Sequence, residues 1–399
     1  MTDRITRLAA WLKSRDVHIS SLVTATPIAD RGIGVIAAKP AKKGTHIFQF
    51  PLPALLNPYT ARASLFKNES VEYVSKKVVD ETSSHQLLAY FLYHEMTTEN
   101  SEWEAFVDVL PTLADFDTVP LVWHVLKSEQ NLIDLLPLKT RAHVTRMITQ
   151  FEDDIAVVGS VFCQQIDVQV FLRAWMCVNS RCLFLKIPGA PPEDCMTLAP
   201  MIDFLNHSDQ PQCSISVTSI RGRKRFCLTT TQDYQAGAEI FLSYGAHVNG
   251  FLLCEYGFTL ESNMYTELDI SGQVMQLLDD NKKQFLQTEG YLDDYTLTMD
   301  ALSYRTEVAL AVAQSDIICN ADSSSKTATL QLAQLRAFIS GRSDGVRYRA
   351  KSQVLLSKIA VGVIEEAERV VACLGDDMNA CNIRRLYDER MRIAKTYIC

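Results

Sequence analysis

Strand-like sequence occurs twice in this chain, and a long helical stretch keeps the two apart. From Val23 to Pro53 the residues are β-branched or small, punctuated by Gly32, Gly34, Pro40, Gly44 and Pro51. That is the texture of short strands joined by turns. It returns between about Cys195 and Tyr244, where CSISVTSI and RFCLTTTQDY flank RGRKR as the arms of a hairpin flank its tip. Between them, from about Ser84 to Phe171, HQLLAYFLYHEM sets Leu87, Leu88, Phe91, Leu92 and Met96 at helical spacing, and later segments continue likewise. The β-rich material is therefore split by a helical insertion, an α+β organisation.

The ends are helical. Residues 4–14 predict a short amphipathic helix with Ile5, Leu8, Ala9 and Leu12 on one face. Beyond about Ser262, Leu356, Ile359, Ala360, Val363, Ala367, Val370, Val371 and Leu374 recur at intervals of three and four, with Gly375 as the expected C-cap. Residues 380–397 predict a last helix with a basic face. The polar, Ser-rich stretch 315–328 has the composition of a linker. The expected domains are an N-terminal helix (1–19), a split β domain (20–260, insertion about 84–171) and a helical domain (261–399).

A chain of 399 residues, 47% apolar and 22% charged, has ample material for its cores. The net charge of −8 argues against a general nucleic-acid binder, though not against a local basic patch or a basic protein partner. The eleven cysteines include no C-x-x-C pair, which points to free thiols in a reducing compartment. The start, MTDRITRLAAWLKSRD, lacks the apolar core of a secretory signal, and no apolar run approaches the ~20 residues that span a bilayer. The expectation is a soluble cytoplasmic or nuclear protein with no membrane partner.

Several local patterns have competing readings. Gly32-x-Gly34-x-x-Ala37 formally matches a dinucleotide fingerprint, but Pro40 and Gly44 stop the helix that would have to follow. A turn that brings backbone close to a ligand is the better reading. Arg221-Gly222-Arg223-Lys224-Arg225 reads as a solvated hairpin tip, with a nuclear address or a phosphate contact as the alternatives. Asp203, His207 and Asp209 lack the number and spacing of a metal ligand set, so no metal is expected. A Ser or Cys nucleophile has no G-x-S-x-G elbow to support it. In MIDFLNHSDQPQC (201–213) an apolar run delivers a carboxylate, an amide, an imidazole and a hydroxyl within six positions. AGAEIFLSYGAHVNGFLLCEYGF (236–258) predicts a strand over Ile240–Leu242, then Tyr244-Gly245, a helical turn with Asn249, and Tyr256-Gly257-Phe258.

Taken in order, R-G-x-G, A-P-M-I-D-F-L-N-H-S and S-Y-G-x-x-x-N-x-x-L-L-x-x-Y-G-F resemble the SET-domain protein methyltransferases. The class most resembled is that of the Rubisco large-subunit lysine methyltransferase. LRAWMCVNSRCL (172–183) and LLAYFLYHEMTTENSEWEAFVDVLP (87–111) agree with it, whereas Val248 stands where the family carries a smaller residue. The resemblance implies a SET-domain β-fold with a pseudoknot, a helical insertion and an all-α C-terminal substrate-binding domain.

It also implies S-adenosylmethionine as cofactor, bound by Gly32, Gly34, Ser180, Asn206, His207, Tyr244 and Phe258. Asn206 would hold the amino-acid end, the backbone of His207 the adenine edge, and Phe258 would cover the adenine. Arg181, Asp203 and Tyr256 would face the substrate, and Tyr244 would be the catalytic residue. The implied activity is protein-lysine N-methylation of a ribosomal, chromatin or other non-histone protein, held through the SET channel and the C-terminal helices. A catalytically silent SET-fold interaction module and a histidine methyltransferase are the alternative readings.

Overall fold

The structure is a computed structural model and describes residues 2–29, 31–66, 81–187, 189–210, 212–220, 222–315 and 326–398. The chain packs into two compact units. One comprises Met1–Ile133, Ala142–His247 and Phe251–Gly257, the other Asp134–Arg141, Val248–Gly250 and Phe258–Cys399.

In the first unit the two strand-rich stretches meet. The strands are β1 (His18–Ile19), β2 (Val23–Ile28), β3 (Gly32–Ala37), β4 (His46–Pro51), β5 (Leu183–Phe184), β6 (Met196–Thr197), β7 (Cys213–Ile220) and β8 (Arg223–Thr230). A four-stranded antiparallel sheet runs β1-β4-β8-β7, so β4 from the early stretch lies against β8 from the late one. Their register sets Phe50 opposite Phe226 and Phe48 opposite Leu228, all four fully buried or nearly so. The other face carries Gln49, Arg225, Ser216 and Thr218 around the buried Cys227, the alternation expected of an antiparallel sheet. β7 and β8 form the predicted hairpin, with Gly222 at φ 77° in its tip; Arg221 of the basic pentad lies outside the described residues.

The G-x-G-x-x-A pattern lies along β3, paired with β2 from Val23↔Ala37 to Ile28↔Gly32. This strand position removes the dinucleotide reading. The predicted strand Ile240–Leu242 is not a ladder but an extended segment that changes partner midway. Ile240 N–H donates to the Val35 carbonyl at 2.8 Å, and Leu242 N–H to the Asn206 carbonyl at 2.9 Å. Neither partner follows it far enough to build a strand.

Helix Ser84–Thr97 starts at a capping box, Ser83 with Gln86. It is buried on every side from Leu87 to Tyr93, so it is a central rather than a surface helix. Helix Val168–Arg181 packs against it, capped by the Asp167 carboxylate on the N–H groups of Gln169 and Val170. That helix carries the helical region past residue 171. Its buried run, Phe171 to Val178, delivers the half-buried polar turn Asn179–Arg181 at its end.

The N-terminal helix, Thr2–Ser14, buries Leu8 and Leu12 completely.

The second unit is helical apart from one antiparallel pair, β9 (Leu268–Asp269) with β10 (Thr296–Leu297). Leu286, Tyr295, Val308, Leu310, Val363 and Ile393 are among the fully buried residues of its core. Helix Val346–Ala372 ends on Cys373, whose N–H reaches the carbonyls of Val370 and Val371. Gly375 is not in the left-handed region and is not the cap; its carbonyl instead accepts from Arg384 Nη2 at 2.9 Å. Helix Met378–Lys395 follows. Of the linker-like stretch 315–328, residues 316–325 lie outside the described residues, and a helix begins at Lys326.

No helix among the described residues is long and apolar enough to cross a membrane. The nine described cysteines are free thiols; Cys163 and Cys373 are exposed, while Cys177, Cys195, Cys213, Cys227 and Cys254 are buried.

Candidate active site

Four polar groups in a short apolar run are explained by how the run turns. Met201 adopts a left-handed φ of 69°, and Ile202–Phe204 form a single 3₁₀ turn with Ile202, Phe204 and Leu205 buried. The turn carries Asp203 inward, where its side chain is wholly inaccessible. Arg181, at the end of helix Val168–Arg181, donates from Nη1 to the Asp203 carbonyl at 2.6 Å and lies 3.7 Å from its carboxylate. Neither carboxylate oxygen makes a full hydrogen bond. Burial pushes this carboxyl up to about 6, against the pull of the Arg181 cation and the backbone at Met201 and Asp203.

After the turn the chain extends alongside residues 239–244. Leu242 N–H donates to Asn206 O, Ser208 N–H to Leu242 O, and Tyr244 N–H to His207 Nδ1 at 3.0 Å. With Nδ1 accepting, the His207 ring takes the neutral Nε2–H tautomer. Burial lowers its pKa, as does His247, against Asp209 and a backbone bond at Leu242.

The Asn206 side chain donates from Nδ2 to Glu239 Oε1 at 2.7 Å, and Glu239 Oε2 meets Arg31 Nη2 at 2.8 Å. A Cβ on Gly34 would come within 2.6 Å of Ile28 Cγ1, 2.9 Å of Glu239 Oε1 and 3.2 Å of Asn206 Nδ2. Glycine is what leaves that space open. Gly32, at φ 72°, opens β3 with nothing crowding it.

Tyr244 completes the arrangement. Its hydroxyl donates to the Leu205 carbonyl at 2.8 Å, and its ring lies 5.1 Å from that of His207 and 4.9 Å from that of Tyr256. Burial pushes its phenol up to about 12, with Arg181 opposing and Asp203 and Glu239 adding. Tyr256 is raised as well, by burial first and then by Tyr244, Glu255 and Cys182. Both phenols therefore stay protonated at neutral pH. Gly245 follows at φ 136°, where an added Cβ would collide with the His247 ring.

Of these residues, Arg181, Asp203, Tyr244 and Tyr256 line a cleft of about 220 Å³, and Asn206 follows Leu205 of its wall. Tyr244, Tyr256, Asp203, Arg181 and Ser180 supply its polar groups, and Ile202, Leu205 and Leu242 much of its apolar wall. The Ser180 hydroxyl is turned back onto the Met176 carbonyl at 2.7 Å. Behind the cleft, Glu255 ties three segments together. His143 Nε2 lies 2.5 Å from its Oε1, and Asn179 Nδ2 donates to its Oε2.

The site thus brings together Gly34, Ser180, Arg181, Asp203, Asn206, His207, Tyr244 and Tyr256. Phe258 is half-buried and belongs to the other unit. Glu239 and Glu255 were missed from sequence, because a lone acid beside an apolar run has no periodicity to mark it. Among the described residues, no cluster of three or more His, Cys, Asp or Glu could hold a metal ion.

The residues fit a cofactor that carries a sulfonium and an amino acid. Gly34 leaves room beside the Asn206 amide, whose Oδ1 can accept from an ammonium once Nδ2 is held by Glu239. The phenol faces, the Leu205 carbonyl and two carboxylates suit a cation.

Comparison with known proteins agrees. The SET-domain profile matches residues 32–245, and that of the "Ribosomal lysine N-methyltransferase 2 C-terminal domain" matches 266–399. The chain is 27% identical to Ribosomal lysine N-methyltransferase 2 of Saccharomyces cerevisiae, covering 82% of this chain and 74% of that one. It is 28% identical to Ribosomal lysine N-methyltransferase set11 of Schizosaccharomyces pombe, covering 90% and 87%. The crystal structure of the SET domain of LSMT bound to lysine and AdoHcy superposes with a TM-score of 0.66 at 15% identity, covering 99% of this chain and 90% of that one. With one profile spanning β3, the 203–207 turn and Tyr244 alike, the chain belongs to the SET-domain family.

Proposed function

We propose that this protein transfers a methyl group from S-adenosylmethionine to the Nζ of lysine in a ribosomal protein. The observation that carries the reading is the pair of protonated phenols, Tyr244 and Tyr256, 4.9 Å apart in an apolar-walled cleft beside Asn206. Two relatives named as ribosomal lysine N-methyltransferases support the choice of acceptor. A ribosomal substrate puts the enzyme where ribosomal proteins are made or assembled, in the cytoplasm or the nucleus.

When bound, S-adenosylmethionine supplies an electrophilic methyl group on a positively charged sulfur. The chain's own task is to present a neutral amine in line with that methyl group. Free lysine has a pKa of about 10.4, so most of it is protonated at pH 7. The walls of Ile202, Leu205 and Leu242 disfavour the ammonium form and lower that value.

Tyr244 directs its O–H to the Leu205 carbonyl, so toward a bound methyl group its oxygen acts as an acceptor of weak C–H···O contacts. Those contacts and the Leu205 carbonyl orient the reacting carbon. Alignment of this kind contributes on the order of 7–11 kcal/mol to a bimolecular reaction. Asn206, held by Glu239, fixes the amino-acid end of the cofactor. Tyr256 lines the lysine channel, and Arg181 braces the turn that carries Asp203. The helical unit takes part in holding the protein substrate, a role suited to Val354 and Val361, both exposed along helix Val346–Ala372.

The test is incubation of the purified chain with labelled cofactor and extracted ribosomal proteins, followed by mass spectrometry of the labelled residue. A methyllysine in a ribosomal protein is expected. No affinity for the cofactor, or a methylhistidine instead, would overturn the reading.

A further inference from the structure

On the polar face of the β1-β4-β8-β7 sheet lies a second, larger groove of about 700 Å³. Its lining includes Lys13, His18, Gln49, Arg223 and Arg225, with Asp16 as the one acid. The strand register shows why they gather. His18 pairs with Gln49, Gln49 with Cys227, and Arg225 and Arg223 precede Cys227 by two and four residues, so all point to one side. The hydroxyls of Ser216 and Thr218, opposite Cys227 and Arg225, stand on that side too.

The groove is built rather than incidental. Asp16 sits at φ 60° in the turn between the first helix and β1. Arg225 donates from Nη1 to its carbonyl at 2.8 Å and from Nη2 to its carboxylate. One cation thus neutralises the only acid and staples the turn to the hairpin. Lys13 and Arg223 are exposed, and neither pairs with a described carboxylate. Lys224 adds a further exposed cation at the hairpin tip.

We infer that this groove binds the phosphate backbone of RNA. A chain with a net charge of −8 that keeps unpaired cations and hydroxyls together on one open face concentrates a positive field there. Guanidinium, ammonium and hydroxyl groups are the donors that phosphate oxygens take. A peptide would need apolar anchors, and the only apolar side chains in the lining are Val17 and Ile220. The acidic whole-chain balance argues against general nucleic-acid binding, but local charge decides local contact. This inference goes beyond the methyl-transfer reading and is tested without turnover.

The experiment is an anisotropy titration of the full chain into a fluorescein-labelled RNA stem-loop over a range of salt. Saturable binding is expected, weakening with a log–log slope of about −2 for two to three phosphate contacts. Lys13→Glu with Arg223→Glu should weaken it by about tenfold or more and flatten the slope, with cofactor affinity unchanged. Lys351→Glu with Lys358→Glu makes the same charge change on exposed positions of the helical unit and should leave RNA affinity within about twofold. If charge reversal unfolds the chain, Arg223→Gln should still reduce the slope by about one. Absent binding by the parent chain, an unchanged groove variant or equal loss in both doubles would overturn the inference. So would a polyglutamate peptide that competes as well as RNA.

Discussion

The Tyr244 hydroxyl donates to the carbonyl oxygen of Leu205, 39 positions earlier in the chain, at 2.8 Å, and so ties the S-Y-G turn to the N-H-S turn. The bond spans the two motifs and commits the phenol proton to that carbonyl. Tyr244→Phe keeps the ring and its packing on Tyr256 but removes the oxygen. Turnover should fall by roughly 100-fold, the scale of losing one preorganised polar group at a reacting centre. Cofactor affinity by calorimetry should hold. A Phe variant with near-parental turnover would remove Tyr244 from the chemistry.

Asn206 and Glu239 should act as a unit. Asn206→Ala removes the amide, and Glu239→Gln weakens the bond that orients it. Each should raise the cofactor dissociation constant by about tenfold, the equivalent of one hydrogen bond to a charged group. The double variant should cost less than the sum. Additive losses would separate the two residues.

Gly34→Ala tests the space between them. Its Cβ would meet Ile28 and Glu239 inside van der Waals contact. Cofactor affinity should drop while the melting temperature shifts only modestly, since Ile28 is only half-buried and can give. A variant that binds the cofactor normally would place the ligand elsewhere.

Asp203 predicts a pH dependence with a definite sign. Below pH about 4 its carboxyl is protonated in both folded and unfolded chains. Between about 4 and 6 the unfolded chain releases the proton and the folded chain keeps it, because burial has pushed the folded value up to about 6. Stability from this group therefore falls as pH rises through that window and is level above it, by on the order of 3 kcal/mol in full. Asp203→Asn should gain on the parent in denaturant midpoint between pH 4 and pH 7. Parallel curves would show that the carboxyl titrates normally.

Glu255 holds His143 and Asn179 at once, behind the cleft. Glu255→Ala strands both polar groups and should cost about 1–3 kcal/mol. Urea denaturation measures it; a loss under a few tenths would mean that water replaces the carboxylate.

Much of this was legible in the residues. Alternation along CSISVTSI and RFCLTTTQDY fixed the hairpin, and the spacing in HQLLAYFLYHEM fixed a helix whose burial on every side an amphipathic reading understates. What pairing decides was not legible. Ile240–Leu242 has strand composition, but its neighbours change after one bond each, and no local pattern reports that. Gly375 offered a cap that Cys373 made unnecessary.

Asn249 in the S-Y-G-x-x-x-N motif could be read as a ligand group. The structure makes it a clamp. It is almost wholly buried, donating to the Leu260 carbonyl and Glu389 and accepting from Leu260 N–H and Asn263. Asp203, Asn206, His207 and Tyr244 could be singled out as residue types, whereas Glu239 and Glu255 join them only through contacts far apart in sequence.

The distribution of thiols gives the protein an internal clock for opening. Cys163 and Cys373 stand in solvent, while burial pushes Cys177 and Cys213 up to about 12 and so withholds the reactive thiolate. An alkylating reagent should mark the first pair at once and the second only as often as the β-rich unit breathes. Following the adducts on Cys177 and Cys213 over time would then measure how frequently that unit opens.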